Sequence, residues 1–134
     1  MLVVKTKIGP SKIDGIGLFT DQFISKGTVV WEYDPNIDRL LSEEEIGKLA
    51  RPIRERFHNY AFFDRKYNKY MFCGDDGRFF NHSGMPNCDD GKDDVTVALH
   101  NIAEGEELTV DYRSFYGNIK DHKEVLCDMS SVAV

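Results

Sequence analysis

The stretch Arg78-Phe79-Phe80-Asn81-His82-Ser83-Gly84-Met85-Pro86-Asn87 sets two opposed chemistries side by side. Its first three residues read as the end of a buried strand, because adjacent aromatics suit a surface covered on both faces. Most of the next seven are types that bend the backbone and hydrogen-bond it locally. A polar loop against an aromatic strand costs desolvation unless its groups find partners. Taken alone, the stretch is an ordinary turn. The rest of the chain decides whether it is more.

At 134 residues the chain has room for one domain with a single modest core. It is 41% hydrophobic and 30% charged, an ordinary balance for a soluble globule. No run approaches the roughly 20 apolar residues of a membrane span, and no signal-peptide pattern opens the chain. The expectation is an intracellular, cytoplasmic protein with no membrane partner. A net charge of −6 argues against direct nucleic-acid binding and suits a basic protein or peptide partner. Cys73, Cys88 and Cys127 are odd in number with no close pair, so reduced thiols are expected rather than disulfides. Cys73, His82, Cys88 and His100 lack metal-ligand spacing, so no metal is expected.

Working outward along the chain, Val3–Lys7 reads as an opening strand ended by Gly9-Pro10-Ser11. Gly15-Ile16-Gly17 follows, where two glycines allow close approach to the main chain. Without a third glycine or a following helix pattern it is no dinucleotide fingerprint, and a hairpin turn is the plain alternative. Thr28–Tyr33 is a β-branched and aromatic strand. Ser42 and Glu45 form a capping box, Leu41 and Ile46 a hydrophobic staple, and Glu43–Glu45 favour the helix dipole. Ile46, Leu49, Ala50, Ile53 and Phe57 recur at helical spacing, and Pro52 predicts a kink or two short helices. Asn59–Phe63 and Tyr70–Cys73 read as a β-hairpin, Cys88–Asp94 as an acidic turn, and Val95–Leu99 and Leu108–Tyr112 as strands.

Three segments, in this order, resemble the SET domain of protein-lysine methyltransferases. Gly15-Ile16-Gly17 is similar to the family's N-terminal GxG loop. Arg78-Phe79-Phe80-Asn81-His82-Ser83 with Pro86-Asn87 is similar to its RFxNHSCxPN signature. Gly105-Glu106-Glu107-Leu108-Thr109-Val110-Asp111-Tyr112 is similar to its GEELTxDY signature. Ile24–Gly27 also resembles the family's I-x-x-G step, and the likeness extends over roughly residues 5 to 117.

The resemblance implies a mainly β, β-clip-like fold of several small sheets, with a C-terminal pseudoknot and one or two short helices within 42–58. The domain would span 1–117, with 118–134 a tail or short helix available as a lid. It implies S-adenosylmethionine as cofactor, S-adenosylhomocysteine as product, and a basic, histone-like protein or peptide as substrate. Gly15, Ile16, Gly17, Arg78, Asn81, His82 and Tyr112 would contact the cofactor, with Arg78 bracing its loop. Tyr112 matches the catalytic tyrosine, and Tyr60, Val110, Phe115 and Tyr116 are the candidates for the lysine channel.

Four departures accompany the match. Gly84 stands where the signature has cysteine, and Cys88 is the nearby candidate to replace it. Val110 stands where many members carry Phe or Tyr. The cysteine-rich segment that follows the domain in many members is absent, so the lid would come from Phe115, Tyr116 and the tail, or from a second copy in a homodimer. The expectation is a domain with no flanking module to select a substrate, in which it resembles small stand-alone viral and bacterial members. Action on histones would move the expected location to the nucleus or a host cell. The rival reading is a non-catalytic SET-like module that binds a protein partner.

Overall fold

The computed structural model describes residues 1–92 and 94–113, and of residues 90–92 the backbone alone. Small antiparallel sheets dominate. β1 (Thr6–Pro10) and β2 (Ile16–Thr20) form a hairpin with Gly9 opposite Gly17. The opening strand thus starts later than Val3 and runs through Gly9-Pro10. Proline is tolerated there because it closes the strand. Leu2 and Val3 instead meet β3 (Val29–Glu32), Leu2 bridging Trp31 and the Val3 N–H donating to the Val30 carbonyl at 3.0 Å.

Capping box and staple both form. The Ser42 Oγ accepts the Glu45 N–H and the Glu45 carboxylate accepts the Ser42 N–H, each at 3.1 Å, and Leu41 packs onto buried Ile46. Pro52 lies at the start of a second helix, where its missing N–H costs nothing. The helical stretch is accordingly two pieces, α1 (Glu43–Gly47) and α2 (Arg51–Tyr60). Only Ile46 and Phe57 of the expected apolar stripe are buried, because the break between the helices puts their faces out of phase. α2 also absorbs Asn59 and Tyr60, which the sequence pattern places in a strand. Its end is fixed by the Ala61 N–H donating to the Phe57 carbonyl at 2.8 Å.

The hairpin beyond it is β5 (Phe62–Asp64) and β6 (Lys69–Phe72), and β4 (Arg39–Leu41) pairs with the other side of β6. A third sheet orders β3, β9 (Val95–Ala98) and β8 (Cys88–Lys92). Cys88–Lys92 is therefore a strand, not an acidic turn, since pairing with β9 satisfies its backbone. In β9 the buried phase is Thr96 and Ala98, so the alternation is present but Val95 and Val97 are the less buried set.

The opening motif is reorganised. Arg78 and Phe79 belong to a 3-10 turn, Asp76–Phe79, because the Asp75 side chain caps it by accepting the Gly77 N–H at 2.9 Å. Strand structure begins only at β7 (Asn81–His82), which pairs in parallel with β10 (Thr109–Val110). The segment leading into β10 is held from its other side by β2. The Leu108 N–H donates to the Leu18 carbonyl at 2.7 Å and the Thr20 N–H to the Glu106 carbonyl at 3.0 Å. Residues 106–110 thus pass between β2 and the 81–87 loop. Asn87 fastens them, donating to the Glu107 carbonyl at 2.8 Å and accepting the Thr109 N–H at 2.9 Å. The main core lies around this crossing: Leu18, Ile24, Val30, Cys88, Ala98, Ile102, Leu108 and Val110. No helix among the described residues is long and apolar enough to cross a membrane.

Candidate active site

Beside the crossing opens a cavity of about 560 Å³, within the range of small-molecule and cofactor sites. One end is formed by the β1–β2 loop, through Ile13, Asp14, Gly15 and Ile16, together with Asn81, His82 and Tyr112. The other is formed by Asn59, Tyr60, Ala61 and Phe62 with Cys73, Trp31 and Thr96. Arg78, Phe79, Phe80 and Val110 also line it.

Of the residues chosen from sequence, Gly15, Ile16, Arg78, Asn81, His82, Tyr112, Tyr60 and Val110 all face this one cavity. Gly17 is not on the wall. Tyr60 arrives from the end of α2 rather than from the hairpin, its ring edge-on to Phe79 at 5.6 Å. Phe115 and Tyr116 lie outside the described residues. Cys88 does not replace Gly84, for it is fully buried in the main core while Gly84 sits on the exposed loop.

Asn81 is 7% exposed and its amide nitrogen is surrounded by oxygens, which fixes the orientation of the amide. Nδ2 reaches the Glu107 carboxylate at 2.9 Å, Ser11 Oγ at 3.1 Å, and the Asp14 and Ile16 carbonyls at 3.1 and 3.4 Å. It therefore holds the β1–β2 loop. Gly15 has φ 41° and open space where a side chain would start, leaving the loop backbone uncovered.

Tyr112 is placed by two bonds. Its N–H donates to His82 Nδ1 at 3.1 Å, and its hydroxyl donates to the Phe80 carbonyl at 2.5 Å. Asp111 Oδ1 lies 3.7 Å from the same His82 nitrogen. That nitrogen already accepts the Tyr112 N–H, so His82 stands between Tyr112 and Asp111. The Asp111 carboxyl is held below its usual range chiefly by Arg113, which donates to both oxygens at 2.9 and 2.7 Å. The Tyr112 phenol is pushed well above its ordinary value of 10.0. Burial is the main cause, followed by the negative charges of Asp14 and Glu107. At neutral pH this hydroxyl keeps its proton. It is a donor and a dipole, not a base.

Arg78 lies over the Phe79 ring at 5.0 Å. Its buried Nε, like the Trp31 Nε1, has no hydrogen-bond partner among the described residues. Sequence reasoning passed over Trp31, Thr96 and Cys73, which line the cavity, and also Ser11 and Glu107. The one available signal was Ser11 at the head of a glycine-containing turn, a place where hydroxyls bond local backbone.

A model of the SET domain matches residues 15–113, and the chain belongs to that family. It is 30% identical over 114 residues to human histone-lysine N-methyltransferase 2D, a match covering 77% of this chain and 2% of that protein. It is 33% identical over 125 residues to the H3 lysine-36 specific histone-lysine N-methyltransferase of Mycosarcoma maydis, covering 84% and 12%. The chain thus spans a small part of the curated relatives' length. The fold is similar to the crystal structure of a Plasmodium falciparum protein described as a histone methyltransferase. That likeness has a TM-score of 0.58 at 20% identity, over 81% of this chain and 93% of the other.

Proposed function

We propose that the domain is an S-adenosylmethionine-dependent protein-lysine N-methyltransferase acting on a basic, histone-like protein or peptide. The observation that carries this is one cavity shared by the 13–16 loop, Asn81, His82 and Tyr112 at one end and by Tyr60 and Phe62 at the other. The polar end fits the cofactor: the uncovered backbone at Gly15 admits close approach, and polar side chains cluster there. Asn81, His82 and the loop would hold it, and it would supply a methyl group on an electrophilic sulfonium.

The chain's own residues have the complementary task. A lysine at its reference pKa of about 10.4 is neutral in only about one molecule in a few thousand at pH 7. An apolar channel disfavours the ammonium and so raises the neutral fraction. Aromatic rings such as Tyr60 grip the alkyl stem and face the cation before it loses its proton. Tyr112, with its proton committed to the Phe80 carbonyl, offers lone pairs that orient the amine. Holding both reactants in line removes several kcal/mol of barrier. Water takes the proton.

Calorimetry with S-adenosylmethionine separates this from the interaction-module reading. Micromolar binding is expected, and no heat at millimolar cofactor would sink the enzyme. Radiolabelled methyl transfer to mixed core histones then tests the substrate class.

A further inference from the structure

Ser11 and Gly17 of the first hairpin and Asn81 of β7 converge on one carboxylate, that of Glu107. Ser11 Oγ lies 2.7 Å from Oε1 and 2.9 Å from Oε2 of Glu107. The hydroxyl has one hydrogen, and gives it to this carboxylate. Its lone pairs accept from within its own loop, the Ile13 N–H at 2.9 Å and the Asp14 N–H at 3.3 Å. The Ser11 N–H closes the same loop onto the Gly15 carbonyl at 2.9 Å. The second carboxylate oxygen also accepts from Asn81 Nδ2 at 2.9 Å.

Room for the carboxylate is made by Gly17. A Cβ built there would stand 2.5 Å from Glu107 Oε2, closer than any real contact. The Gly17 backbone does not require glycine, since its φ is not in the left-handed region. Gly17 and Gly15 therefore do different work: Gly15 turns the loop, and Gly17 seats Glu107.

We propose that Glu107 and Ser11 are positioning residues that lock the cofactor loop in register with the strand carrying Tyr112. This rests on the methyltransferase reading above. Glu107 lies five residues before Tyr112 on the segment that crosses beneath the 81–87 loop. The latch fixes loop backbone and Tyr112 in one frame, as an in-line transfer between two bound reactants demands. Ser11 and Glu107 are not among the residues that line the cavity. They act through Ile13, Asp14 and Asn81.

The test uses the full chain and two readouts. The first is hydrogen exchange of the 11–17 backbone in the ligand-free protein. The second is S-adenosylhomocysteine affinity by calorimetry on protein shown to be folded. Glu107→Gln is nearly isosteric but replaces one acceptor with a donor. It is expected to speed loop exchange and weaken affinity, each by at least tenfold, the scale of one charge-assisted hydrogen bond. Ser11→Ala should do the same, Ser11→Thr should restore both, and Ser11→Ala with Glu107→Gln should be no worse than either alone. Gly17→Ala should mimic Glu107→Gln by evicting the carboxylate. Unchanged loop exchange in Glu107→Gln would overturn the latch, as would a lower Tm with unchanged affinity. Failure of the unmodified protein to bind S-adenosylhomocysteine would overturn the functional reading, and with it the cofactor role of the latch. Loop exchange would still report separately whether the latch exists.

Discussion

The two ends of the cavity are built by different physics. At the crossing, where residues 106–110 pass under the 81–87 loop, placement is by directional bonds: Asn87 to the Glu107 carbonyl and the Thr109 N–H, Asn81 to the Asp14 and Ile16 carbonyls, His82 and the Phe80 carbonyl to Tyr112. At the far end, α2 and the β5–β6 hairpin offer mainly ring faces and aliphatic carbon, such as Tyr60 edge-on to Phe79 at 5.6 Å, with Ala61 and Phe62 beside them. Hydrogen bonds fix position to fractions of an ångström, while apolar packing fixes volume and tolerates sliding. A site that must align reacting atoms wants the first. A channel that must admit a flexible side chain wants the second.

Substitutions at each end should therefore fail in different ways. Tyr112→Phe is the severest for turnover: kcat should fall on the order of 100- to 1000-fold, the usual loss of one oriented active-site hydroxyl. S-adenosylhomocysteine affinity should stay within a few-fold, and full activity would remove Tyr112 from its role. Asn87→Ala breaks the crossing without touching the cavity. Losing two bonds and stranding the buried Thr109 N–H should cost about 2–4 kcal/mol in urea unfolding. A loss below about 1 kcal/mol would mean the crossing is held by packing.

Tyr60→Leu tests the other end. It keeps bulk but removes the ring face, so the peptide KM should rise about tenfold with cofactor affinity unchanged. Equal losses in both would merge the two ends into one unit.

A smaller effect follows from the Tyr112 phenol. The folded state holds this proton more tightly than the unfolded chain, so the associated stability is complete below the ordinary value of 10.0 and is lost as pH rises above it. The Tm of the unmodified protein should fall more steeply than that of Tyr112→Phe above about pH 10. Parallel curves would show a phenol indifferent to its surroundings.

The mildest change is Gly84→Cys. The nearest atom to a Cβ there is Arg113 Nη2 at 4.0 Å, so stability should move by less than about 0.5 kcal/mol. The departure from the family signature at this position is then sterically neutral. A large loss would mean the loop needs glycine.

Much of this was legible in the sequence. The capping box at Ser42 and Glu45 and the break at Pro52 are local effects, decided within a few residues, and both appear as read. The membership of Asn81, His82 and Tyr112 in one site came from the resemblance of motifs. No periodicity leads to a strand that passes beneath an earlier loop. What misled were local preferences overruled from a distance. Phe79-Phe80 looks like strand, but the Asp75 cap winds the preceding residues into a turn. Cys88–Lys92 looks like turn, but β9 pairs it into a sheet.

The sequence by itself determined where helices start, where the chain must bend, and which family's motifs it carries, because those depend on neighbours in the chain. Only the tertiary structure decided what Gly17 is for. Its space is occupied by a carboxylate ninety residues away in the chain, Glu107, and a contact of that kind leaves no mark at either position until the chain has folded.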